Sequence, residues 1–468
     1  MRSMCCFRAA FLIACFTMIH LAAAEDWSRF RGPNGTGVAA QGTELPTTWS
    51  ETENLKWKTK LPGAGSSCPI VVGDKIYVTC WSGYGLDRRN PGQQEDLQRH
   101  LVCVDRTNGK IVWDKTVSPY LPEDEYGGMF AEHGYASHTP VSDGQHIYCY
   151  FGKTGAVAFD LDGNQLWKQE IGTESGARGW GSASSPILYK DVLIVTATAE
   201  SEALVGLNKN TGEEVWRKEA SGFNSTWGTP VLVPVDNQRT DLVIAVPGEI
   251  WAFDPETGSL RWYCEAFGSN SMCSSVVPFA DTVIAIESGP GGGGGIAVKV
   301  GGQKDVTDSH IAWQGNQSNR IGTPIVLDGR IYVFGNGVVT CLDAKTGEEL
   351  FKSRLQTPAA ANANPPADDA NAEQGGRGAG QGRGGFGGRG GRGGGRGGQD
   401  YGSPIAANGV IYYTTRSGIT YVIQAGDELQ QIAANKVTSE TEDFSATPAI
   451  ADGQLIIRSD KHLYCVAK

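Results

Sequence analysis

Histidine, arginine, asparagine and ring side chains recur just upstream of a repeated Ser/Thr step in this 468-residue chain. His133, Tyr135 and His138 precede Thr139-Pro140, and Arg178 and Trp180 precede Ser185-Pro186. Asn224 and Trp227 precede Thr229-Pro230, Asn270 precedes Ser275-Val276, and Arg320 precedes Thr323-Pro324. Guanidinium and imidazole donors beside flat rings suit an anionic or planar ligand, or a peptide. The other reading is that these side chains hydrogen-bond their neighbours and fill the mouth of a channel. Metal chemistry is poorly served, because His133 and His138 stand five apart in a loop with no fixed carboxylate set beside them.

Other reactive groups are weaker candidates. Eight cysteines follow Ala24; Cys103, Cys341 and Cys465 fall at one repeated position, held elsewhere by Ala158, Gly206 and Ala252. That is a small-residue site in a packed strand. Cys264 and Cys273 flank one short loop and form the best disulfide pair on spacing alone. The run Glu123-Asp124-Glu125 reads as solvated surface. The Gly/Arg stretch from 374 to 398 has no apolar periodicity and is expected to stay unfolded. Its arginines could touch an anionic polymer, but a solvated insertion is the simpler reading. The glycines at 291–295 form a loop and no phosphate cradle, since no helix follows them.

Whatever these residues do, the chain that carries them reads as exported. Arg2 and Arg8 precede an apolar run from 9 to 21, and Ala22-Ala23-Ala24 offers a cleavage site before Glu25. The run is short for a membrane span, and no second one follows. Leu12-Ile13-Ala14-Cys15 resembles a lipobox that would anchor Cys15 in an outer membrane. The residues after it stay apolar, however, and favour soluble export to the periplasm or beyond. A net charge of −11 argues against nucleic acid as a partner.

The positioning elements are repeats. Ser/Thr-Pro steps at Thr139, Ser185, Thr229, Thr323, Ser403 and Thr447, with Cys68 and Ser275 in two irregular slots, give eight starts. Each leads into short apolar segments separated by Gly-containing turns and ends on an aromatic: Trp113, Trp167, Trp216, Trp262, Trp313 and Phe351. The seventh repeat places Gln430 where the aromatic is expected. Four strands per repeat predict a β-propeller blade, with the tryptophans packing blade on blade. The eighth repeat stops one strand short, while 54–58 matches 164–168, so the N-terminal strand is expected to close the ring. The predicted organisation is a signal peptide at 1–24, an extended segment at 25–53, and an eight-bladed all-β propeller at 54–468 with an insertion at about 357–400.

The ending Asp254-Pro255-Glu256-Thr257-Gly258-Ser259-Leu260-Arg261-Trp262 resembles the pyrroloquinoline-quinone-like (PQQ-like) propeller repeat, over essentially the whole mature chain. The N-terminal Trp27-Ser28-Arg29-Phe30-Arg31-Gly32-Pro33 is similar to segments that precede such propellers in exported bacterial proteins. That family includes quinoprotein alcohol and glucose dehydrogenases and the cofactor-free BamB-type scaffold of outer-membrane protein assembly. The dehydrogenase side implies PQQ, calcium, an Asp base and often a disulfide between adjacent cysteines. The only adjacent pair here, Cys5-Cys6, lies in the leader. No cofactor is therefore expected, and a scaffold is the leading reading.

Strand order sorts the connections. First-to-second and third-to-fourth turns are short throughout. The long ones, 81–98, 114–138, 289–295 and 356–400, are second-to-third or interblade connections and share the opposite face. That elaborated face is expected to hold an envelope protein, a peptide or a small anion.

Overall fold

In the computed structural model, residues 26–289, 292–319, 321–357 and 399–468 are described. The leader with Cys15, the Gly/Arg stretch at 374–398 and Arg320 lie outside them.

Eight sheets, each built on four antiparallel strands, form the blades. In blade one the order is Ile70–Val72, Lys75–Ser82, Gln98–Asp105 and Ile111–Val117. The inner three strands are almost wholly buried, whereas the outer one alternates. An inner strand packs on both faces and an edge strand on one, so the hydrophobic pattern changes across the blade. Tight turns link the inner pairs; in blade six, Asp328 and Gly329 both adopt positive φ, 50° and 75°, as a two-residue hairpin of primed type requires.

Blade eight combines Ala449–Ala451, Gln454–Arg458 and His462–Val466 with Leu55–Lys60 as its outer strand. Trp57 pairs with Cys465 and Lys60 with His462, so the N-terminal strand completes the last blade. Blade four has an added edge, where Lys304–Asp305 lies parallel to Leu260–Glu265.

The aromatic position explains the repeat. Trp57, Trp113, Trp167 and Trp313 each donate Nε1–H to a carbonyl of the following blade, at Arg106, Leu161, Lys209 and Ala344. The turn glycine of that blade lies beneath the ring. A Cβ on Gly109 would stand 2.6 Å from Trp57, and one on Gly212 2.7 Å from Trp167. Within its own blade each ring faces a small residue: Cys103 for Trp113, Ala158 for Trp167, Gly206 for Trp216. The aromatic and the turn glycine thus recur together because each blade docks on the next through them.

Four expectations need correction. In blade seven the aromatic position is Ala433, opposite Val422, and not Gln430, because the turn before the outer strand is one residue longer there: Ile423 pairs with Gln431, where Val104 of blade one pairs with Ile111. The volume is redistributed: a larger residue on the third strand faces a smaller one on the fourth. The glycines after 291 are not a loop; Thr282–Gly289 and Gly292–Lys299 form a hairpin paired down to Gly289–Gly292. Close approach selects the glycine at 294, where a Cβ would meet the Gly315 carbonyl at 2.7 Å. Cys264 is not bridged to Cys273: it lies buried in the outer strand of blade four, its thiol contacting the Glu265 carbonyl at 3.3 Å. Finally, Glu123 is not solvated. It is buried against Arg99, and Asp124 takes Lys153 at 2.8 Å.

Candidate functional site

The residues that begin the inner strands form a closed ring. The backbone N–H of each donates to the side chain of its counterpart in the next blade. Cys68 donates to Thr139, Thr139 to Ser185, Ser185 to Thr229 and Thr229 to Ser275, at 2.9–3.0 Å. Ser275 donates to Thr323, Thr323 to Ser403 and Ser403 to Thr447, at 2.8–3.0 Å. Thr447 closes the circle on Cys68 Sγ at 3.2 Å. Proline or another residue can follow, but the ring position itself needs a short side chain with an acceptor atom.

This ring girdles a cavity of about 170 Å³ on the propeller axis. Above it stand residues of the interblade connections, including Met129, His133, Trp180, Trp227, Cys273 and Tyr401. Below it lies the N-terminal segment. Trp27 bridges Val71 in blade one and the Ser28 carbonyl accepts from Ser142 in blade two. Arg31 donates to the Pro324 carbonyl in blade six at 2.8 Å, and Val38 bridges Ala406 in blade seven. The contacts at Val71, Ser142 and Ala406 fall three residues past the ring, so the segment crosses the axis between the ring and the plain face. Phe30 contributes to the cavity lining from there. The central space is therefore a cup, floored by the chain's own N-terminal segment and facing the long loops.

The nine predicted site residues divide. His133, Trp180 and Trp227 line the cup. His133 donates Nε2–H to the Trp180 carbonyl at 2.7 Å and takes Ser137 on Nδ1 at 2.6 Å; burial holds its pKa below the usual value. Trp227 donates to the Gly181 carbonyl at 2.8 Å and packs against Trp180 with ring centres 5.2 Å apart and the planes tilted by 31°. Arg178 lies 5.1 Å over the Trp180 ring, donating to Ser225 Oγ and the Asn270 carbonyl. Asn224 donates to Glu202 beside the same pair, and Asn270 is exposed.

Tyr135 and His138 do not reach the channel. Tyr135 is 2% exposed within an aromatic cluster with Trp81, Tyr84 and Phe130, built by the two long connections of blade one. His138 is buried behind the wall, its Nε2 3.0 Å from Ser182 Oγ, which donates to Glu200 at 2.5 Å. One residue separates a lining position from a packed one, and a loop offers no periodicity to tell them apart.

Sequence reasoning used the Ser/Thr step as an alignment mark and missed it as a lining. The signal was present in the hydroxyl at nearly every repeat start. Phe30, Met129, Tyr401 and Glu287 carried no repeat signal. Glu287 is buried, its Oε2 accepting from the backbone of Cys273 and Ser274 at 3.0 and 3.2 Å.

Fold and cavity define a closed eight-bladed propeller with a one-ended central cup. The model of the family described as outer membrane protein assembly factor BamB matches residues 94–226 and 194–357, more than half of the chain. The chain belongs to this family of PQQ-like repeat propellers. It is 22% identical over 331 residues to a tetrathionate hydrolase of Acidithiobacillus ferrooxidans (strain ATCC 23270), covering 65% of this chain and 62% of that protein. It is 23% identical over 354 residues to BamB of Burkholderia pseudomallei, covering 65% and 80%. Among solved structures, a quinohemoprotein alcohol dehydrogenase from Comamonas testosteroni superimposes with a TM-score of 0.58 at 11% identity, covering 95% of this chain and 81% of that one. The chain thus spans less than two thirds of the hydrolase it matches.

Proposed function

We propose that this protein is an exported, non-enzymatic binding propeller of the cell envelope, which holds a protein or peptide partner on its elaborated face. The observation that carries this reading is the cup. It faces the long connections, its rim presents the Arg178–Trp180–Trp227 cluster, and its other end is occupied by the N-terminal segment. Rings backed by a guanidinium are the side chains that dominate partner recognition elsewhere. No helix among the described residues is long and apolar enough to cross a membrane.

The lining does not fit a quinone site. PQQ is held with a divalent cation, which calls for several carboxylates around the site. Among the described residues the lining has a single carboxylate, Glu287, which already takes two backbone N–H groups. This supports binding over oxidation of an alcohol or sugar.

Rim substitutions test the proposal. Arg178→Ala and Trp180→Ala should stay within about 1 kcal/mol of the parent in stability, being part-exposed loop residues. Both should lose capture of envelope proteins in pull-downs. His138→Ala, by contrast, should melt early without a specific effect on capture. Capture unaffected by either rim change would refute the rim as the binding face.

A further inference from the structure

The cup's polar groups are one-sided. Seven of the eight ring members are hydroxyls, and each oxygen already accepts a backbone N–H. Thr139 and Thr447 flank the Cys68 thiol. The other five, Ser185, Thr229, Ser275, Thr323 and Ser403, line the cavity as donors, because a hydroxyl that accepts on one side keeps its hydrogen for another partner.

Beneath the ring the charge is one-sided too. Arg31 is 1% exposed, and its Nε and Nη1 have no hydrogen-bond partner. Its Nη2 donates to the carbonyls of Thr36 and Pro324, both at 2.8 Å. Arg29, two residues earlier, is 8% exposed and borders a niche with Thr229 and Ser275. Level with the ring rather than beneath it, Arg458 is fully buried and donates to the carbonyls of Ser67 and Thr79, next to Cys68. None of the three guanidiniums meets a described carboxylate within ion-pair distance. Burial holds Arg31 down to about 9 and Arg29 to about 10, so both remain cationic at neutral pH. Arg29 and Arg31 thus lie under the ring with no described carboxylate in ion-pair distance, and the cavity's own carboxylate, Glu287, is held by backbone donors. Uncompensated buried charge is costly, and a chain of net charge −11 has no shortage of acids to pair with it.

Resting on the reading of the cup as a binding site, we infer that the cup takes a single carboxylate borne on an apolar or planar group. The carboxylate would accept from the ring hydroxyls above Arg31, and the body would lie among Phe30, Trp180, Trp227 and Tyr401. A free aromatic or aliphatic acid and the C-terminus of a peptide both present this chemistry.

Titration of the full chain with benzoate and with neutral benzamide decides the matter, read by tryptophan fluorescence and calorimetry. Benzoate should bind and perturb the emission, with benzamide at least about tenfold weaker, the difference a charge-assisted contact makes. Equal binding of the two, or binding of neither together with no response to the peptide arm, would overturn the inference. In that arm, acetyl-Gly-Gly-Leu with a free C-terminus is compared with its amide. Response to the free peptide but not to benzoate identifies a chain terminus as the source; response to benzoate alone identifies a small acid. Arg31→Gln should weaken binding by about tenfold while Arg31→Lys retains it. The wild-type comparison stands even if neither variant folds. None of these titrations involves a protein partner, so their failure leaves the rim-capture experiment intact, and failure of capture leaves them intact.

Discussion

Glu200 is 4% exposed, and burial pushes its carboxyl up to about 7, while burial of neighbouring His138 pushes that imidazole down to about 3. The two act in opposite directions on stability. The Glu200 contribution is fully present below its ordinary value of 4.5 and is lost as pH rises through about 7. The His138 contribution is present above 6.5 and is lost as pH falls towards about 3. Glu200→Gln isolates the first. Its melting temperature relative to the parent should improve steadily from about pH 5 to about pH 8. A difference that stays constant across that range would show that Glu200 is ionised throughout. The sequence named His138 from its place before Thr139, but nothing in it could show that the side chain turns into the wall towards Ser182. At the same scale, Trp262→Ala should cost about 3–5 kcal/mol in denaturant unfolding, because the ring is fully buried and its Nε1 donates to the buried Asp241 at 2.8 Å.

Among the elements, the outer strands carry most of the repeat's information, and they were largely legible. The aromatic and the turn glycine four residues before it are fixed by docking between blades, and they recur at that offset in blades one, two, three, four and six. In blade seven the turn before the outer strand is one residue longer, which displaces the position, and Ala433 escaped notice because the compensating residue, Val422, lies on another strand. Ala433→Trp alone should overpack by about 1–3 kcal/mol, whereas adding Val422→Ala should recover part of it. Equal losses in the single and double variants would mean that the two positions do not share a space. The closing strand is a second test of the elements. Deletion of 53–60 removes the partner of His462–Val466 and leaves an open sheet edge on blade eight. Aggregation or a large drop in melting temperature is expected, and an unchanged melting curve would contradict closure by Leu55–Lys60. The crossing of the axis by Trp27 to Val38 was not legible, since its partners at Val71, Ser142, Pro324 and Ala406 are contacted through backbone groups that any residue possesses.

On the scale of the whole molecule, eight blades are joined by eight N–H donations around the axis, and every one runs in the same direction. A ring closed in this way leaves no free end at its centre, and the N-terminal segment then passes beneath it. The long connections of one face are consequently left as the side from which the cup is approached. Oxidoreductases and an assembly factor are both found among proteins of similar fold, so the architecture alone does not choose between them. What separates them is the lining, with its hydroxyls, its rings and its single occupied carboxylate. The most direct measurement is the absorbance of the purified protein after incubation with PQQ and calcium, followed by desalting. The binding-propeller account predicts a spectrum indistinguishable from that of untreated protein. A chromophore retained in stoichiometric amount would contradict it and make the protein a quinone-dependent oxidoreductase.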